Sequence, residues 1–171
     1  MKYLAAGNRG CVLAQTGKAS EAIQAISDAI TELRPIGATV WRTAWLAHLS
    51  LAYAELGKLD DAWRCIGEVI TTIETTKERW LEAEVHRTAG EIALLDAAKA
   101  EAYFERALAV ARQQQAKSWE LRASMSLARL WRDQGKMREA RELLAPVYGW
   151  FTEGFDTRDL KEAKALLEEL A

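Results

Sequence analysis

Apolar residues recur along most of this chain at intervals of three and four, the spacing of one face of an α-helix. The pattern predicts nine amphipathic helices, near 3–16, 20–34, 38–56, 59–75, 78–95, 97–115, 117–134, 137–152 and 157–170. The polar breaks between them are short, and they repeat. Gly17-Lys18, Gly57-Lys58 and Gly135-Lys136 each end one apolar face and open the next. Five residues after each glycine stands an alanine: Ala22, Ala62 and Ala140. Bulky apolar residues follow four further on (Ile26, Ile66, Leu144), then Ala29, Val69 and Val147 three beyond those. A fourth copy lacks the glycine and keeps Ala100, Phe104 and Ala107. The marker alanines lie 40, 38 and 40 residues apart, and Trp41, Trp80 and Trp119 lie 39 and 39 apart.

A glycine tolerates the positive φ that ends a helix and reverses the chain. The alanine is small where two helices cross, and the residues four and seven beyond it share its helical face. One hairpin cannot bury that face alone, so hairpins stack. Pro35 separates the first two units, and Pro146, inside a helical pattern, predicts a kink or a restart. Gly154 and Asp156-Thr157 predict a stop and an N-cap for the last helix. That helix carries an apolar stripe of Leu160, Ala163, Leu167 and Leu170, with Glu162, Lys164, Glu168 and Glu169 on the other side.

The turn signature, preceded by a helix ending in Leu49-x3-Tyr53 or Leu127-x3-Trp131, resembles the tetratricopeptide repeat (TPR). HEAT and armadillo repeats have a period nearer 40, but the Gly-to-Ala turn is the tetratricopeptide one. The expected fold is all-α: a TPR-like right-handed α-solenoid of four antiparallel helical hairpins plus a C-terminal capping helix. The units are placed at about 1–36, 37–76, 77–115 and 116–153, within 1–155, with the cap at 156–171. The stretches DDAWRCIGEVI, AEAYFERALAVARQQQAKSWELRASMSLARLWRDQGK and REARELLAPVYGWFTEGFDTRDLKEAKALLEEL carry a narrower resemblance. They are similar to the C-terminal TPR region of bacterial multidomain proteins that join a cyclase-like or DNA-binding output domain to an ATPase. That resemblance implies an interaction or regulatory piece of a bacterial signalling system and carries over no enzymatic residue.

Composition narrows the function classes. The 171 residues are half apolar, too much for a disordered chain, and two prolines with ten glycines are too few turn residues for an all-β fold. The 23 basic and 25 acidic residues leave a net charge of −2, which argues against nucleic acid or an anionic membrane as partner. No apolar run is long enough to span a bilayer, and the first ten residues lack the apolar core of a signal peptide. Cys11 and Cys65 form neither a CxxC nor a zinc set, so a reduced, cytoplasmic setting is expected.

Catalytic chemistry is not evident in the sequence. TGKAS at 16–20 has Val12 where a phosphate loop needs glycine and Ala19 where it needs Ser or Thr. His48 and His86 have no second ligand at zinc-helix spacing, and the acidic pairs Asp60-Asp61 and Glu168-Glu169 fit helix starts or exposed faces. No catalytic residue, metal or cofactor is assigned, and a non-enzymatic role is expected. Trp41, Trp80 and Trp119 are expected to pack hairpin on hairpin, while Trp45 and Trp150, off that ruler, are the candidates for an aromatic ligand pocket.

In the resembled family the first helix of each pair lines a concave face. Its second, fifth, ninth and twelfth positions fall on Leu4, Gly7, Cys11 and Ala14, then on Ala44, Ala47, Leu51 and Ala54. Next come Glu84, Arg87, Glu91 and Leu94, then Arg122, Met125, Arg129 and Arg132. The expected partner-binding groove thus has a small apolar half and an arginine-bearing half. It fits a peptide or protein segment with an apolar end and an acidic end, gripped by Arg87, Arg122, Arg129 and Arg132 with Glu91, Met125, Ala47 and Leu51. A solvated face with ion pairs such as Arg87–Glu91 is the plain alternative, and a ligand-sensing role for the groove is the functional one. Gly7 and Cys11 occupy places where a chaperone clamp would need lysine and asparagine. The apolar first helix also suggests a homodimer or a neighbouring repeat.

Overall fold

Three hairpin turns are built alike, from a glycine that no other residue replaces without strain. Gly17, Gly57 and Gly135 adopt φ of 74°, 71° and 79°. The next N–H then reaches back to the preceding helix: Lys18 to the Leu13 carbonyl at 3.1 Å, Lys58 to Tyr53 at 2.9 Å, Lys136 to Trp131 at 2.8 Å. The computed structural model describes residues 2–33 and 39–171; Pro35 lies outside them. Among the described residues it forms α1 (Lys2–Gln15), α2 (Ala19–Leu33), α3 (Thr39–Glu55), α4 (Leu59–Thr76), α5 (Glu82–Ile92), α6 (Ala97–Gln113), α7 (Lys117–Asp133), α8 (Met137–Gly149) and α9 (Arg158–Glu169). The result is an all-α solenoid of four antiparallel hairpins, with α9 packed on α7 and α8 as a cap.

Two helices differ from expectation. α5 has 11 residues, well short of the predicted 78–95. Lys77 closes α4 in the left-handed region, at φ 61°, and a turn through Leu81 follows. At its other end Asp96 accepts from the Lys99 N–H and caps α6, which replaces the missing glycine and leaves Leu95 93% exposed. α8 runs unbroken through Pro146. The proline sits in the last turn, where only the bond to the Glu142 carbonyl is lost.

The four marker alanines, Ala22, Ala62, Ala100 and Ala140, are all fully buried, and Ile26, Ile66, Phe104 and Leu144 are buried beside them. Glycine sets the closest approaches. A Cβ on Gly7 would stand 2.3 Å from the Trp45 ring, and one on Gly90 2.4 Å from Phe104. Trp45 is therefore core, with its indole N–H donating to Asn8 Oδ1 at 3.1 Å, and it forms no ligand pocket. Trp41 and Trp80 are not packed between hairpins as expected: they are 45% and 46% exposed. The 39-residue ruler averages two unequal steps of 40 and 38. The buried residue at the matching register is Leu81, 40 after Trp41 and 38 before Trp119.

Both histidines are largely buried with Nδ1 unpartnered among the described residues. Burial pushes His48 below its ordinary value, Glu84 opposes this, and Arg87 and Arg122 add to it. Burial, with Arg106, lowers His86 against the pull of Glu82. Burial likewise pushes the Cys11 thiol up to about 11 and raises Cys65, so neither is a ready nucleophile.

Gly7→Ala and Gly90→Ala are each expected to cost about 1–3 kcal/mol in a denaturant melt, because an aromatic ring must move. Gly67→Ala, in α4 with nothing within 4 Å of the added carbon, is expected to stabilise by up to about 1 kcal/mol. A different measurement tests the histidines. Their folded pKa values lie below the unfolded value of 6.5. As pH falls through that value the unfolded chain takes up protons that the folded one refuses, so stability declines. The urea midpoint should fall between pH 7 and pH 5, and the H48Q/H86Q pair should flatten that slope. The lowered carboxylates Glu82, Glu120 and Glu162 act only below about 4.5.

Candidate functional site

The first helices of successive hairpins pack side by side, α1 on α3, α3 on α5 and α5 on α7, and α9 continues the row. Their shared face is a cleft of about 560 Å³. One register builds it. Ala44, Glu84 and Arg122 line it at steps of 40 and 38, as do Ala47, Arg87 and Met125, and His48, Thr88 and Ser126.

Eight groove positions read from the sequence therefore share this cleft: Ala44, Ala47, Leu51, Glu84, Arg87, Arg122, Met125 and Arg129. Glu91 does not line it but braces it from one side, bonded to Arg87 at 3.0 Å and accepting from Ser126 Oγ at 2.6 Å. Arg132 lies beyond it, paired with Asp133 at 2.9 Å and with Glu169. Leu94 stands exposed in the α5–α6 turn. Among the described residues of the first hairpin, only Gln15 reaches the cleft. Leu4 and Cys11 pack against the core around Trp45, Gly7 is buried under that ring, and Ala14 packs against the cluster of Ala19, Ala22 and Ala52. Trp150, at the end of α8, is largely exposed with the Lys117 ammonium 5.6 Å from its ring, so it closes no pocket on the groove.

The floor is largely apolar on the α3 side, where Ala44 and Ala47 carry only methyl groups beside Leu51 and Leu81, with His48 among them. The α5–α7 side is ionic. Arg87 grips Glu84 with two bonds, at 2.8 and 2.7 Å. Burial works against the Arg87 charge, but the bonds and charge of Glu84, then Glu91, outweigh it and hold the guanidinium well above its ordinary value. Arg122 lies over the Trp119 ring at 5.1 Å, reaches Glu84 at 3.7 Å, and donates to Asp159 of α9 at 2.6 Å. Arg129 donates to Glu162 of α9 at 3.1 Å. Arg122 and Arg129 remain 37% and 40% exposed, so both stay open to a ligand.

Sequence reasoning missed His48, Thr88 and Ser126, although each follows a predicted groove residue by one and obeys the same steps. It also missed that α9 contributes a wall through Thr157, Arg158, Asp159 and Glu162. Among the described residues no helix is long and apolar enough to cross a membrane.

No family model matches the chain, and no curated protein matches it. Solved structures do. A Podosopora anserina protein described as a kinesin light chain with nearly identical TPR-like repeats is 17% identical, covers 97% of this chain over 83% of its own, and superposes with a TM-score of 0.67. A single-substitution form of that protein gives the same figures. At this identity the likeness establishes the fold: the chain is a TPR-like right-handed α-solenoid.

Proposed function

We propose that this chain is a non-enzymatic protein-interaction and regulatory scaffold that binds a peptide or protein segment in the concave groove. The observation that carries this reading is the groove's divided lining. Alanines on α3 let a segment lie close, and half-exposed Arg122 and Arg129 offer charged donors to its other end. Docking an apolar end over Ala47 and Leu51 and an acidic end over α7 satisfies both halves. The sequence likeness to cyclase- and ATPase-linked arrays supports a bacterial signalling system, the free cysteines Cys11 and Cys65 fit a reduced, cytoplasmic setting, and the apolar first helix fits a homodimer through the first repeat. A second reading, a ligand-sensing domain, draws on the cleft's volume, which lies in the range of small-molecule sites.

The test uses a ten-residue peptide with leucines at one end and glutamates at the other. Binding followed by calorimetry is expected to weaken about tenfold to a hundredfold in the R122E/R129E variant, since each partly exposed charge pair is worth about 1 kcal/mol. Affinity that is the same in both proteins would sink the groove assignment. A change in Trp119 fluorescence with a compact metabolite, and none with the peptide, would favour the ligand-sensing reading.

A further inference from the structure

We infer that Asp159 and Glu162 of α9 act as a built-in competitor for the groove's arginines and so set how acidic a segment must be to enter. The inference rests on the groove reading above and concerns its selectivity. α9 runs beside α7, and three ion pairs cross between them: Arg122–Asp159 at 2.6 Å, Arg129–Glu162 at 3.1 Å, and Arg132–Glu169. The first two carboxylates themselves line the cleft. Any segment approaching Arg122 or Arg129 meets them, and an acidic one must both displace them and tolerate their charge.

The exchange needs no movement of the helix. α9 is seated by Leu160, Ala163, Leu166 and Leu170, which are all buried in one cluster with Leu121, Met125 and Leu144. The ion pairs are partly exposed, where such pairs hold little free energy. Their side chains can therefore swing away while the backbone stays. Each arginine gives α9 a single short bond, whereas a ligand carboxylate can take a guanidinium by two. Glu162 is also held by Arg158 at 2.7 Å, so neutralising it frees a second cation at the mouth.

The test is the D159N/E162Q variant of the full chain against two peptides, the leucine–glutamate peptide and the same peptide with glutamines for glutamates. The acidic peptide is expected to bind about tenfold more tightly than to the unaltered chain at low salt, with the gain fading as salt rises. The glutamine peptide should not discriminate. E169Q, which breaks a pair outside the cleft, should change neither, and thermal melts should confirm that both variants stay folded. Equal or weaker binding of the acidic peptide by D159N/E162Q overturns the inference, while binding that still falls in R122E/R129E leaves the groove reading intact. Absence of binding by every form overturns both.

Discussion

Where a glycine faces an aromatic ring, two helices come closer than any side chain permits, and this solenoid is spaced by two such contacts. Gly7 against Trp45 sets α1 on α3, hence one unit on the next. Gly90 against Phe104 sets α5 on α6, hence one hairpin within a unit. The fully buried marker alanines repeat the device more gently along the second helices. Each second helix packs against its own first helix and against the next one, and the first helices lie in a row whose common face is left open among the described residues. The groove is the face that this packing leaves over.

What fills that face follows from charge. A buried cation must be paired and hydrogen-bonded to be tolerated. Arg87 meets that demand with Glu84 and Glu91, and Ser126 completes the set from α7. The same carboxylate, Glu84, reaches Arg122, which in turn reaches Asp159. Ala44, Ala47 and Leu51 bring no polar atoms to the other half, where His48 is the polar side chain that α3 contributes and burial lowers its pKa.

The parts of this architecture that were legible in the sequence are local. The hairpin glycines, the marker alanines and the apolar residues four and seven beyond them act within one or two turns of helix, so their spacing states their role. The misplaced groove and core positions are matters of register or of distant pairing. A constant tryptophan interval hid steps of 40 and 38, so Trp80 was read as core where Leu81 is the buried residue. Transferring groove positions to the first hairpin failed because Gly7 is spent on the Trp45 contact. The meeting of Arg122 with Asp159, 37 residues on, depends on how α9 lies against α7, and no periodicity records that.

The run from Glu84 through Arg122 to Asp159 touches α5, α7 and α9 in turn. Its outer link is partly exposed, so salt loosens it while Leu160, Ala163, Leu166 and Leu170 keep α9 seated. At the α1–α3 end, a ring against a glycine carries no charge for salt to screen.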